Sequence, residues 1–308
     1  MCAGLGRIVF SSSRELTRAI TAKVVSAGHC FVPWTCHAAE SLFATLFPSD
    51  CRLCGAPLVK ISSLPVCEDC LSAMRPIPGE VCSVCGEGLV SPYAFAQEHD
   101  EPRCGLCRRL GPPFAKATAY GSYDGGLREL IHLLKYEQVR PAANVLGRML
   151  AEAITDLSSS VGETCLLVVP VPLHTRKVRQ RGFNQAELIA RAALKLKPVG
   201  MQLTLESGIL ERRRETQSQI GLTRHQRREN MRGAFAVTKP AEVQDREILL
   251  VDDVFTTGTT VSECARMLRR AGSPRVWVAT VARTLKIEAT YAISEEEEES
   301  GLAKAAHG

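Results

Sequence analysis

The chain of 308 residues has room for one large domain or two ordinary ones, and its 45% hydrophobic and 23% charged residues are those of a soluble globular protein. Its net charge of +5 is mild and names no partner by itself. No apolar run approaches the roughly 20 residues that span a bilayer, which argues against an integral membrane protein.

Residues 1–39 carry Arg7, Arg14, Arg18 and Lys23, several serines and a single acid, Glu15. This faintly suggests a transit peptide or surface segment, but no apolar core with a small-residue cleavage site marks a secretory signal. A disordered extension, or a start codon placed too early, is the plainer expectation. From Glu40 the character changes: Leu42, Phe43, Leu46 and Phe47 form a short apolar helix face stopped by Pro48.

Thirteen cysteines is a high count, but eight fall in four CxxC pairs between Cys51 and Cys107. That pattern reads as metal ligation in a reducing cytosol, hence a cytoplasmic protein, and not as a disulfide framework. Cys51-Arg-Leu-Cys54-Gly55 and Cys82-Ser-Val-Cys85-Gly86 are copies of one CxxCGxxL motif, and a plain CxxC follows each: Cys67/Cys70, then Cys104/Cys107. Two such knuckles complete a tetrahedral site of four sulfurs, as in zinc ribbons, with no position left for water. Two structural zinc ions are expected, with ligands paired within each repeat. Crossed pairing between repeats satisfies the sequence equally. Iron–sulfur ligation is a minor alternative. With few apolar residues in the module, metal binding would supply most of its folding free energy. His99 reads as a solvated loop histidine. Cys165 and Cys264 read as small core residues.

Gly111-Pro112-Pro113 breaks the chain and sets the expected boundary between residues 40–110 and 111–288. Strands are expected at Ala115–Tyr120, Cys165–Val171, Ala234–Val237, Ile248–Val251 and Arg275–Val281. Helices are expected at Leu127–Tyr136, Ala142–Leu157, Phe183–Lys195 and Val261–Ala271. Such alternation predicts an α/β fold with a parallel sheet flanked by helices and ligands at the strands' C-terminal ends.

Pro170 to Gln185 reads as a basic loop, in which His174, Arg176, Lys177 and Arg181 would attract an anion, although His174 could equally be an ordinary surface residue. Arg176 to Phe235 holds 14 Lys+Arg against 5 Asp+Glu, a local +9 that exceeds the charge of the whole chain. Within it Arg212, Arg214, Gln219, Arg227 and Asn230 suggest either a mobile hood over substrate or a nucleic-acid surface. The tract from Arg212 to Arg232 has no Phe, Tyr or Trp, so base-stacking platforms for single-stranded DNA would have to come from elsewhere.

Ile248 to Thr260 reads ILLVDDVFTTGTT. Four apolar residues end in Asp252 and Asp253; Thr256, Thr257, Gly258, Thr259 and Thr260 then turn into a helix. Strand, turn and helix in that order make an anion site suited to phosphate, with two carboxylates beside it for sugar hydroxyls. The stretch resembles the phosphoribosyl-pyrophosphate signature of type I phosphoribosyltransferases. The resemblance implies that the acidic pair holds ribose hydroxyls, the loop wraps the 5-phosphate, the basic rim meets pyrophosphate, and Mg²⁺ bridges ligand oxygens. Oxopurine-salvage members carry an acid where Thr256 stands. A threonine cannot act as base at neutral pH, which speaks against hypoxanthine/guanine transfer. No catalytic residue is assigned.

Taken together, the CxxCG ribbons, PVPLH, RGFNQ, RxRxTxxQ (Arg212 to Gln219), the GAF segment ending at Phe235 and VDDVFTTGTT resemble the ComF family. The resemblance covers roughly Glu40 to Thr284. It implies a double zinc ribbon ahead of a type I phosphoribosyltransferase-like domain, a phosphoribosyl pyrophosphate or nucleotide ligand with or without transfer, and a role in DNA uptake or natural competence. A non-catalytic module that binds single-stranded DNA, or docks a partner such as a DNA-uptake ATPase, is the alternative. Residues 289–308, with five consecutive acids at Glu295–Glu299, are expected to be disordered.

Overall fold

The computed structural model describes residues 49–58, 62–89, 101–162, 164–198, 201–214 and 224–285. The N-terminal segment, the apolar face at Leu42–Phe47, His99, Gln219 and the acidic tail lie outside the described residues.

Two short helices belong to the cysteine-rich part: α1 (Glu68–Ser72) and α2 (Gly105–Leu110). The strand β1 (Ala117–Ser122) follows, then α3 (Gly125–Tyr136), α4 (Ala142–Thr155) and the single turn α5 (Ser158–Val161). Next come β2 (Cys165–Pro170), α6 (Thr175–Arg181), α7 (Gln185–Lys195), β3 (Gln202–Leu205) and β4 (Leu210–Arg212). The described chain closes with α8 (Arg224–Met231), β5 (Phe235–Val237), α9 (Pro240–Val243), β6 (Ile248–Phe255), α10 (Thr259–Arg270) and β7 (Val276–Arg283).

Five strands form one parallel sheet in the order β1-β7-β6-β2-β3. Its central strands are near-continuous apolar runs because both faces are covered, as parallel sheets require. Leu166, Val168, Leu249, Val251 and Ala279 face a core shared with α3, α4 and α7. Leu167, Val169, Ile248, Leu250 and Val278 face a second core shared with α10 and the small lobe formed by β4, β5 and α8. Helices α4 and α7 meet closely at Gly147, where a Cβ would lie 2.5 Å from the Cβ of Ala192.

Several expectations change. The strand at Ala234–Val237 does not join the parallel sheet: β5 pairs antiparallel with β4, an element missed in the sequence together with β3. Both are three or four residues long, too short to show periodicity. The basic stretch after β2 is not a loop but the helix α6. The strand at Ile248 does not stop before the aspartates. β7 continues to pair with it at Asp252, Val254 and Phe255, so the carboxylates lie inside the ladder. Cys264 is buried as expected, whereas Cys165 is exposed at the sheet's N-terminal edge.

The cysteine-rich part does not stand apart. Leu64, Val66 and Met74 belong to the first core, and Cys82, Cys85 and Cys107 to the second. Ala117 at the head of β1 donates its N–H to the Val84 carbonyl at 2.8 Å. Its own few apolar residues therefore draw on a larger interior, and metal is not the only source of its order.

Candidate functional site

The repeated motif folds the same way twice. Gly55 N–H donates to Cys51 O and Gly86 N–H to Cys82 O, both at 2.8 Å, with Gly55 at φ 74° and Gly86 at φ 69°. That left-handed turn is what the glycine after each CxxC supplies. Cys51, Cys54, Cys67 and Cys70 converge in one quartet, and Cys82, Cys85, Cys104 and Cys107 in another. Pairing is thus within repeats, not crossed. The sulfurs of Cys51 and Cys70 lie 3.9 Å apart, those of Cys54 and Cys67 3.8 Å, and those of Cys85 and Cys104 3.7 Å. Tetrahedral Zn²⁺ with bonds of ~2.3 Å needs about 3.8 Å between its sulfurs. The quartets fit zinc. Burial works to raise the Cys51 thiol, but the backbone N–H groups around it, Cys67 first, outweigh this and bring it down to about 6. Burial, and then the sulfurs of Cys67, Cys54 and Cys51, push the Cys70 thiol the other way.

At the sheet's C-terminal edge, alternation along β6 turns Asp253 toward α3 and α7 while its neighbour Asp252 stays half-buried. Asp253 forms an ion pair with Lys135 of α3, the two side chains being 5% and 15% exposed. Gln185, at the start of α7, donates its Nε2 to Asp253 Oδ1 at 3.3 Å. Burial works against ionised Asp253, but the Lys135 ammonium wins and holds its carboxyl below the usual range. Burial likewise opposes the charge on Lys135, and Asp253 outweighs it, raising the ammonium. Asp252 moves the other way: burial, then the neighbouring Asp253 charge, push its carboxyl well above the usual range. Its Oδ1 accepts the Asp253 N–H at 2.9 Å. The pair therefore divides, with Asp253 committed to the protein and Asp252 half-open at the edge.

The turn that follows sits above this pair. Gly258 takes φ 73° and stands at the N-cap of α10, with no side chain closing the helix end. The first turn of a helix leaves N–H groups without intrahelical acceptors, and the helix dipole adds positive potential there. The hydroxyls of Thr257 and Thr259 lie 2.8 Å apart, Thr256 is exposed, and Thr259 and Thr260 are the first two residues of the helix. A helix N-terminus left open in this way can receive an anion.

The basic rim is built by α6. His174 caps it, its Nδ1 accepting the Arg176 N–H at 3.4 Å, and also forms a parallel bridge with Arg212 of β4. His174 is thus a structural cap. Arg176, Lys177 and Arg179 are exposed. Arg181 is not on the open rim: it is half-buried, donates to Gln185, and lies 5.7 Å above the Tyr136 ring. In the small lobe Arg212 stacks 5.5 Å from the Phe235 ring. Arg214 donates to the carbonyls of Asn230 at 2.8 Å and Arg232 at 3.1 Å. The lobe is fastened to α10 by Glu263, whose Oε1 accepts the Gly233 N–H at 3.0 Å. The side chain of Arg227 lies outside the described residues.

Lys135, Glu263 and Arg283 carry no motif and were not legible as site residues. Gln185 stood within RGFNQ without an assigned role. A cleft of about 1110 Å³ separates Thr256–Thr259, α10 and the lobe from the second cysteine quartet, with Leu110, Phe114, Phe255 and Arg283 among its walls.

Two family descriptions match the chain: Double zinc ribbon domain over residues 42–108 and Phosphoribosyl transferase domain over residues 181–300. The DNA utilization protein YhgH of Escherichia coli K12 is 31% identical over 239 residues, covering 77% of this chain and 98% of its own. Competence protein F of Haemophilus influenzae is 30% identical over 221 residues, covering 71% and 90%. A solved hypoxanthine-guanine phosphoribosyltransferase from Schistosoma mansoni overlaps 47% of this chain and 57% of its own, at 15% identity and a TM-score of 0.26. Among the described residues no helix is long and apolar enough to cross a membrane.

Proposed function

The chain belongs to the ComF family of double-zinc-ribbon, phosphoribosyltransferase-like proteins, and from that premise we propose that it binds Mg²⁺–phosphoribosyl pyrophosphate at Asp252–Thr260 in the service of DNA uptake or utilization. The observation that carries the proposal is the uncapped N-terminus of α10 directly after a strand bearing Asp252 and Asp253. In this reading Asp252 accepts hydrogen bonds from the ribose hydroxyls. Asp253 holds the strand end through Lys135 and Gln185. The backbone of Thr257 to Thr260 takes the 5-phosphate, and Arg176 and Lys177 of α6 meet the pyrophosphate.

Mg²⁺ would arrive on the ligand. Among the described residues the groups of three or more candidate metal ligands are the two cysteine quartets, so Asp252 would add at most one carboxylate to a cation held by phosphate oxygens. Bound there, the ion would offset part of the pyrophosphate charge beside Arg176 and Lys177. Thr256 supplies no base at neutral pH, so the proposal commits to binding and leaves transfer to an acceptor as an outcome of assay. A second reading, single-stranded DNA along the basic edge, is favoured by one feature: α6 brings Arg176, Lys177 and Arg179, all exposed, into one short helix.

Calorimetry of the zinc-loaded chain tests both. Saturable binding of Mg²⁺–phosphoribosyl pyrophosphate, lost in Asp252→Asn combined with Asp253→Asn, supports the first reading. Absence of sugar-phosphate binding beside salt-sensitive binding of a short single strand would overturn it in favour of the second.

A further inference from the structure

We propose that Arg283 is a positioning residue that ties the phosphate loop to the second cysteine quartet, so that the order of Thr256–Thr260 follows the metal state of Cys82, Cys85, Cys104 and Cys107. Arg283 ends β7, is 2% exposed, and pairs in register with Phe255 at the end of β6. Its guanidinium reaches the second knuckle along the wall of the cleft. One nitrogen donates to the carbonyl of Cys85, itself a zinc ligand in the quartet, and another pairs with Glu87 at 2.6 Å. The same group lies 4.7 Å from the Phe255 ring centroid.

Phe255 passes the constraint on. Its ring is held edge-on by Phe114 with centroids 6.2 Å apart, and it lies directly under the loop: a Cβ on Gly258 would sit 2.6 Å from its Cζ. The Thr284 N–H donates to the Phe255 carbonyl at 3.0 Å, closing the same corner. On the other side the knuckle has little room to move, since a Cβ on Gly86 would lie 3.0 Å from the Ala117 carbonyl.

A buried guanidinium needs its acceptors. When the second quartet loses its metal, the knuckle carbonyl and Glu87 lose the restraint that the four sulfurs share, Arg283 loses fixed acceptors, and the ring beneath Gly258 loses a fixed stacking partner. Among the described residues the first quartet shows no such route. Its neighbours Leu53 and Met74 pack instead against Gly126 of α3, each 3.2 Å from the position of a Cβ there. The coupling is therefore specific to one quartet. It rests on the phosphate-loop reading only for its consequence on ligand affinity.

Amide hydrogen exchange of the full-length, zinc-loaded chain tests it, reading residues 255–262 against core residues 248–251. Arg283→Gln with both zinc ions retained should speed exchange of the loop about tenfold and leave the core unchanged. Cys104→Ser, in the second quartet, should give the same rise, whereas Cys54→Ser in the first should give none. Combined with Arg283→Gln, Cys104→Ser should add nothing further, because the two act through one contact. Arg283→Lys should behave as Arg283→Gln, since an ammonium lacks the fork that spans Cys85 and Glu87. If Arg283→Gln does not fold, Glu87→Gln keeps the stacking and should raise loop exchange about threefold. Loop exchange equal to wild type in the folded variant, full additivity with Cys104→Ser, or an equal response to Cys54→Ser overturns the proposal. Titration with Mg²⁺–phosphoribosyl pyrophosphate separates the two readings: no binding by wild type refutes the ligand, while loop exchange still decides the coupling.

Discussion

Asp253→Asn removes the charge facing Lys135 while leaving the shape of the edge intact. With side chains 5% and 15% exposed, the pair sits close to the interior limit, where breaking one partner of an ion pair costs about 3–5 kcal/mol. Lys135 retains some access to water, and the asparagine can still meet Gln185, so the lower end, about 3 kcal/mol, is expected. The contribution has a defined pH window. Asp253 has its carboxyl held down by Lys135, so its share is present above the unfolded carboxyl pKa of roughly 3.9 and is lost as pH falls through the lowered folded value. Lys135 is raised, so its share is present below the unfolded pKa of roughly 10.4 and is lost as pH rises through the folded value. Asp252→Asn should act in the opposite sense. Its ionised form is disfavoured by burial and by Asp253, so stability falls as pH rises from the unfolded toward the raised folded pKa, and an uncharged side chain removes that loss. Urea unfolding at pH 7 with zinc saturating measures both variants. Lys135→Met added to Asp253→Asn should recover most of the loss, since an apolar pair leaves no buried charge unpaired. A cost below about 1 kcal/mol for Asp253→Asn, or equal effects of the two aspartate substitutions, refutes the division of roles.

Three further outcomes follow from the geometry. Gly258→Ala forces a side chain onto φ 73° and into the Phe255 ring, and should cost about 1–3 kcal/mol while weakening Mg²⁺–phosphoribosyl pyrophosphate binding about tenfold by calorimetry. Arg214→Ala removes the donors holding the carbonyls of Asn230 and Arg232, and should cost about 1 kcal/mol, with faster proteolysis between β4 and β5 and unchanged zinc content. Metal analysis should return two zinc ions per chain, and a chelator strong enough to strip both should lower the thermal midpoint and increase exchange in both cores, because each quartet contributes cysteines or packing neighbours to one of them.

What could be read in advance followed local chemistry. The quartets were legible because CxxCG repeats itself, and the strand–turn–helix corner because strand, acids, hydroxyls and helix run consecutively from Ile248. What was missed depends on distant contacts. Lys135 looks like one more cation on an amphipathic helix, and only the fold sets it against Asp253. Arg283 follows an apolar strand and has no motif, so its partner in the second ribbon is visible only in three dimensions. Thr175 to Arg181 has one apolar residue and no periodicity and so reads as a loop, whereas the helix α6 is set by the His174 cap. Polar residues usually end a buried strand, yet at Asp252 and Asp253 the pairing of β7 carries the ladder on to Phe255. Cys165 shows the converse error, a small apolar residue assumed to be inside but standing exposed at the strand's first position.

The claim that Asp252 to Thr260 holds a phosphoribosyl group is tested most directly by a crystal structure of the zinc-loaded chain grown with Mg²⁺–phosphoribosyl pyrophosphate. The 5-phosphate should occupy the backbone cradle of Thr257 to Thr260, with the ribose hydroxyls on Asp252 and the pyrophosphate toward Arg176 and Lys177. Difference density confined to the cleft beside Leu110 and Arg270, with the cradle filled by solvent at saturating ligand, would contradict it.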